Sequence, residues 1–553
     1  MFPRWFSILL TTLILLVGCV PVYGIKSADG IASNPPESTQ SPTPLQTPDH
    51  TPTPQPGNPA IHLWIASSVP DDLLKQVASM SNVVISQNRD TAVFSLDVIH
   101  NEPMLQTTWV YTLVAPFPTL LDDVPLDDLL AAWKGEKELA ALNGSPLLLS
   151  KNTLSAFTTL WGEPDAKAIK VLKSEEILET AWQTQPSWAL IPFEELQPRW
   201  KILRINGMSP LDRNFKIDEY PLTVHFGVET LNPTLVARNT HLNLPVSNYD
   251  SGKMTSLILT GTTAMVRYFA LRMEEKGVTY PAQDIVTTLK DADILHISNE
   301  VSFWENCPAA KPVRREMRFC SDPSYIELLK YVGTDVVELT GNHLLDWGEE
   351  PFIYTLKLYE ENKLPVYGGG LNREAAQRPF VLEHHGNRLA FLGCNAVGPQ
   401  IALATDDHPG AAPCDLEKMK EQIAALLEEG NIPIVTFQHF EAEMFSPQSS
   451  QRVDFQAMAQ AGAVIVSGSQ AHYPQGMTFV NGHFVHYGLG NFFFDQMDKW
   501  NRQAFIDRHI FYNGHHINTE LITIILEDYA RPRVMTDQER EKLLKRVFSE
   551  CVW

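Results

Sequence analysis

Six apolar runs between residues 250 and 530 each end on polar side chains, and this pattern limits the fold more than any other feature of the chain. MTSLILTG (254–261) leads into Thr262-Thr263, and ADILHISNE (292–300) ends in Ser298-Asn299-Glu300. TDVVELTGNH (334–343) ends in Gly341-Asn342-His343, and IPIVTFQHFEAE (432–443) carries His439, Glu441 and Glu443. AVIVSGSQAH (463–472) ends in Gln470 and His472, and FVHYGLGN (484–491) ends in Asn491. Helical stretches at 281–290, 323–332, 351–362, 415–429 and 451–461 lie between these runs. Near-continuous apolar runs read as strands buried on both faces. In such an α/β sheet, ligands sit beyond the carboxyl ends of the strands. The six polar ends therefore predict one convergent site. Imidazole nitrogen, carboxylate and amide oxygen together suit a divalent metal such as Mn, Fe or Zn. Taken singly each motif is weak, because a strand-end histidine is more often a core or loop residue.

The preceding block, 61–240, also alternates strands and helices, which implies an α/β layer structure. AIHLWIAS (60–67), Val83–Ser86 and TWVYTLVA (108–115) read as strands, and Pro70–Met80 and Asp122–Trp133 as helices. Lysine and arginine number 43 and aspartate and glutamate 65, a formal charge of −22. The net field works against non-specific nucleic-acid binding and predicts no nucleic-acid partner, while a local basic patch can still hold an anion.

The first nineteen residues carry Arg4, an apolar core at 5–17 and Leu16-Val17-Gly18-Cys19. That is the build of a secretory signal. Residues 20–60 are rich in Pro, Ser and Thr and lack the large apolar side chains needed to fold. They predict an extended tether. Among the other cysteines, Cys307 with Cys320 and Cys394 with Cys414 are the natural local pairs; free thiols are the alternative. No CxxC supports a zinc cluster, and Cys551 is left over. The last block, 531–553, has a capping start at Thr536-Asp537 with Glu539, then Leu543, Leu544, Val547 and Phe548 on one face. It predicts a packing helix.

Three resemblances sharpen these expectations. Leu16–Cys19 resembles the bacterial lipobox, which implies a lipid-anchored Cys19 on the extracytoplasmic face of the membrane; an ordinary cleaved signal or short anchor is the alternative. YTLVA followed by VPLDDLLAAWKG is similar to phosphate-type extracellular solute-binding proteins, which implies a periplasmic-binding-protein-like α/β domain. Ser145 and Ser187 are its candidate anion contacts, and a domain that has become a spacer is the alternative.

The block 250–530 resembles the capsule-synthesis CapA family of the metallophosphatase superfamily. The residues that carry this are Gly261-Thr262 with Arg267, Ser298-Asn299-Glu300, Asn342-His343 with Asp346 and Gly348, His439 with Glu443, Gln470 with His472, and Asn491-Phe492. The resemblance implies a metallophosphatase-like layered α/β sandwich that acts on an anionic surface polymer of the poly-γ-glutamate type, or on a phosphorylated small molecule. It implies Glu300, Asn342, His439 and His472 as metal ligands with Gln470 as a weak further contact. His343 is implied as acid or electrostatic stabiliser, Asp346 as its orienting partner, and Arg267 as an anion contact. Glu443 and Asn491 are candidates for substrate contact. Thr262 and Gln470 depart from the family's aspartate and histidine. That points to one ion rather than two, or to a shell that binds an anion or glycan without catalysis. A basic loop, with Lys311, Arg314, Arg315 and Arg318, lies between Cys307 and Cys320.

Overall fold

Alternation along the strands sorts the C-terminal side chains into layers. In the strand Met254–Thr263, Leu257 and Leu259 enter one core while Ile258 enters another, as a period of two requires. In Ile432–Gln438, Ile432 and Ile434 join the first of these cores, and Val435 and Phe437 join a third. The shared core lies between two sheets, and the other two lie under helices. The computed structural model describes residues 60–99, 102–235, 242–312 and 317–553. The predicted signal, Cys19, the tether, Arg314 and Arg315 fall outside these residues.

The C-terminal domain is a four-layer α/β sandwich. Its first sheet has seven strands in the order 366–367, 336–338, 294–299, 254–263, 503–512, 515–527 and 531–534. The first four run parallel and the rest continue antiparallel. The second sheet has six strands in the order 380–384, 387–395, 432–438, 465–469, 483–486 and 477–480, with the middle four parallel. Helices Arg267–Lys276, Ile326–Val332 and Glu349–Glu361 cover the first sheet. Leu416–Glu428 and Ser449–Gln460 cover the second. The helix expected at 281–290 is broken into a turn at Tyr280–Ala282 and a short helix Val286–Lys290.

The N-terminal domain is built on the strand Leu105–Pro116. Its first half pairs with Thr223–Thr230, and its second half pairs with Trp188–Pro192 and Trp200–Ile205. Helices Asp71–Ala78, Leu126–Trp133, Lys151–Trp161 and Ser174–Gln183 accompany the sheet.

The two domains share one compact unit from Asn58 to Trp553. Ile510 and Ile517 of the C-terminal domain complete the N-terminal core. Asn518 Nδ2 donates to the Trp200 carbonyl at 2.8 Å, and Arg540 pairs with Asp122 at 2.8 Å. The helix Asp537–Phe548 starts with the expected Thr536/Glu539 capping box and buries Leu543, Leu544 and Val547 in the inter-sheet core. Disulfides join Cys307 to Cys320 and Cys394 to Cys414. Cys551 is free and half-buried against the inter-sheet core, and burial pushes its thiol up to about 12, which lowers its reactivity.

Candidate functional site

The parallel strands of the first sheet bring Thr262, Glu300 and Asn342-His343 to one edge. Gly341 is required there, because a Cβ would lie 2.6 Å from both the Cβ and the carbonyl oxygen of Glu300. Glu300 is 3% exposed, and its Oε2 has no hydrogen-bond partner. His343 Nδ1 meets Asp346 Oδ2 at 2.8 Å. The same oxygen accepts the Phe319 N–H at 2.8 Å, and the Phe319 ring stands edge-on to the imidazole at 4.6 Å. Burial opposes protonation of His343. The Asp346 hydrogen bond and the charges of Glu300 and Asp346 outweigh it and hold the imidazole pKa above its ordinary value. Arg267 grips Asp495 with two guanidinium nitrogens and lies over the rings of Phe319 and Phe494. The protein's own carboxylate thus occupies the expected anion contact.

The second sheet contributes neutral groups. Gln438, absent from the residues the motifs predict, ends its strand and donates from Nε2 to Asn342 Oδ1 at 3.1 Å and to Gln470 Oε1. Its Oε1 accepts from Ser469 Oγ at 3.0 Å. The Gln470 N–H donates to Thr262 Oγ1 at 3.2 Å. Amides and a hydroxyl therefore clasp the two sheets together. Gly468 permits the approach of this strand, since a Cβ would strike the Tyr487 carbonyl oxygen and come within 2.9 Å of Phe455.

His439, one residue beyond Gln438, turns toward the helix layer. Its Nε2 meets Asp454 Oδ2 at 3.1 Å, and its ring packs near Phe440 and Phe455. Burial outweighs Asp454 here and lowers the pKa, so the ring is neutral, and its buried Nδ1 has no partner. His472 Nδ1 meets Asn491 Oδ1 at 2.7 Å, and Asn491 Nδ2 donates onward to the Asn501 carbonyl at 2.9 Å. Arg267, Gln470 and His472 all hold positive φ, at 51°, 79° and 51°. Such strain in non-glycine residues costs about 1–3 kcal/mol each and gathers where function needs it. Glu441 and Glu443 are exposed.

Among the described residues, no three His, Cys, Asp or Glu side chains converge as a group able to hold a metal ion. Glu300, His439 and His472 are not brought together as one such group in this arrangement. The donors that do meet, Asn342, Gln438, Gln470 and Thr262, are poor ligands for a first-row metal.

In the N-terminal domain, Ser145 Oγ donates to the Pro186 carbonyl at 2.6 Å and Ser187 Oγ to the Ala181 carbonyl at 2.7 Å. Both close turns. The first turns of three helices, with Asp71, Asn152 and Ser174, instead line a cleft of about 660 Å³. Only spatial convergence reveals these residues, since each is an ordinary helix start in sequence.

Residues 256–496, the span that carries both halves of this rim, match the family model of the bacterial capsule synthesis protein PGA_cap. This domain matches the CapA family. The PGA biosynthesis protein CapA of Bacillus subtilis is 25% identical over 302 residues, 54% of this chain and 78% of that protein. Among solved structures, a phosphate transport receptor of Vibrio cholerae aligns with 30% of this chain and 85% of its own, at 12% identity and a TM-score of 0.25. The NAD nucleotidase of Haemophilus influenzae aligns with 54% of this chain and 56% of its own, at 11% identity and a TM-score of 0.31. Likenesses this loose add nothing to the strand order. The CapA domain's layers follow from its own pairing and packing.

Proposed function

We propose that this chain serves the assembly of an anionic capsule polymer, and that its CapA domain grips the polymer as a binding module without a resident metal. The observation that carries this reading is Gln438, whose amide joins Asn342 to Gln470 across the two sheets. A network of neutral amides fills the rim where metal donors were expected. The family match supports the capsule role, and the relative in Bacillus subtilis, named a PGA biosynthesis protein, supports a poly-γ-glutamate type of ligand. His343, held by Asp346 and with its proton affinity raised, is the basic group of the rim. Cys19, in the lipobox-like Leu16–Cys19, is the proposed lipid anchor, and anchoring there would hold the domain outside the cytoplasm. The test is calorimetric titration of the purified chain with γ-linked glutamate oligomers, with and without EDTA. The expected result is binding of equal strength in both. Binding that vanishes with EDTA would contradict the reading.

A second reading draws on Glu300 Oε2 and His439 Nδ1, two buried atoms without partners. Unpaired buried acceptors are costly, and they favour a cation entering the rim after rearrangement. On that reading the domain is a metal-dependent hydrolase of phosphorylated or amide substrates. It requires turnover of a chromogenic phosphate ester that is lost in His343→Ala.

A further inference from the structure

The segment that ends in Cys320 lies directly against the His343–Asp346 pair. It is fixed at one end by the bridge to Cys307. Beyond the bridge, the Ser321 N–H donates to the Ser302 carbonyl and the Trp304 N–H to the Ser321 carbonyl, each at 2.9 Å. Arg318 sits at the other end. Its Nε donates to the Asp346 carbonyl at 2.9 Å, and its guanidinium lies 4.4 Å from the centroid of the Trp347 ring. The residue is exposed, and its two terminal nitrogens meet no protein acceptor among the described residues.

This is an unusual state for a surface arginine. A free side chain of this type carries much rotamer entropy. Here the Trp347 face and the Asp346 carbonyl have already fixed the plane, while the outward edge of the fork remains open. An arginine fork matches a carboxylate in bidentate geometry, and prior ordering of the fork removes part of the cost of binding. Trp347 Nε1 is a buried donor with no partner. Arg267, Lys311, Arg318 and Trp347 line a cavity of about 80 Å³, space enough for a carboxylate group. The two acids on its wall are engaged elsewhere, since Glu274 accepts the Tyr325 hydroxyl at 2.8 Å and Asp322 accepts the Ser324 N–H at 2.9 Å.

We propose that Arg318, clamped on Trp347, reads the pendant α-carboxylates of the polymer at the mouth of the CapA site. The role rests on the polymer-binding reading above and names one residue that sets its specificity. The experiment is titration of the full purified chain with a γ-linked glutamate decamer, followed by calorimetry and by tryptophan emission, at low and at physiological salt. Arg318→Gln is expected to weaken decamer binding at least ten-fold with an unchanged melting temperature. Arg318→Lys is expected to lose nearly as much, because lysine keeps the charge without the fork. Trp347→Ala should weaken binding several-fold, and Trp347→Phe should restore most of it. A wild-type chain that ignores the decamer overturns the polymer reading and the proposal with it. A wild-type chain that binds, with Arg318→Gln binding within two-fold, overturns the proposal alone. Inorganic phosphate binding as tightly as the decamer would overturn the carboxylate assignment.

Discussion

The two sheets of the CapA domain supply unequal halves of one rim. The first sheet delivers an ionisable constellation, with Glu300, His343 of raised proton affinity and Asp346 in one neighbourhood. The second delivers amides, and the histidines that follow its strand ends, His439 and His472, are held by Asp454 and Asn491. The difference teaches how distance along the chain protects a motif. His343 and Asp346 are three residues apart, so one local turn fixes their pairing. The contributions of the second sheet meet the first only across the inter-sheet gap, and there two glutamines and a threonine have closed the rim with hydrogen bonds. The half that needs only its own chain is the half that keeps its charge.

The largest effects should come from the glycines that let each half approach its neighbour. Gly341→Ala and Gly468→Ala each push a Cβ into backbone atoms, and each should lower stability by about 3 kcal/mol. Gly482→Ala, which faces open space at φ 84°, should cost about 1 kcal/mol, the strain alone. Urea unfolding of the three variants measures this, and equal costs would break the comparison. Gln438→Ala comes next. It removes the bonds to Asn342, Gln470 and Ser469 and leaves buried amides unpaired, for an expected loss of about 2 kcal/mol. A loss below about 0.5 kcal/mol would mean that the clasp holds nothing together.

Acidity separates the halves more finely. The folded pKa of His343 lies above its unfolded value, so its stabilising contribution is complete below about pH 6.5 and fades as pH rises through the folded pKa. The folded pKa of His439 lies below, so its contribution is complete above about pH 6.5 and fades as pH falls through the folded pKa. The cost of His343→Gln should therefore be greatest in acid and that of His439→Gln greatest in base. About 1.4 kcal/mol is at stake for each ten-fold change in proton affinity between the folded and unfolded chain. Denaturant melts between about pH 5.5 and 8.5 measure both, and parallel slopes would remove the distinction.

Much of this was legible beforehand. The six apolar runs all became strands, and both local disulfides formed. The strands 387–395, 503–512 and 515–527 were not predicted. The last two carry Asp507, Arg508 and Glu520, whose charges break the apolar pattern; Arg508 and Glu520 pair across the hairpin, and Asp507 pairs with His486. His439 drew attention because it is a histidine in a motif. The period of two gives a different reading: Ile434, Thr436 and Gln438 share the inter-sheet face, and His439 takes the opposite one. A count along the strand finds Gln438, whereas no count finds Arg318 on Trp347, because that contact joins two loops.

The central claim is that the rim is closed by amides and holds no resident ion. The most direct test is calorimetric titration of metal-stripped protein with Mn²⁺, repeated with Fe²⁺ and Zn²⁺. The account predicts no saturable binding in the micromolar range. One equivalent bound by the wild-type chain, and lost in His439→Ala, would contradict it.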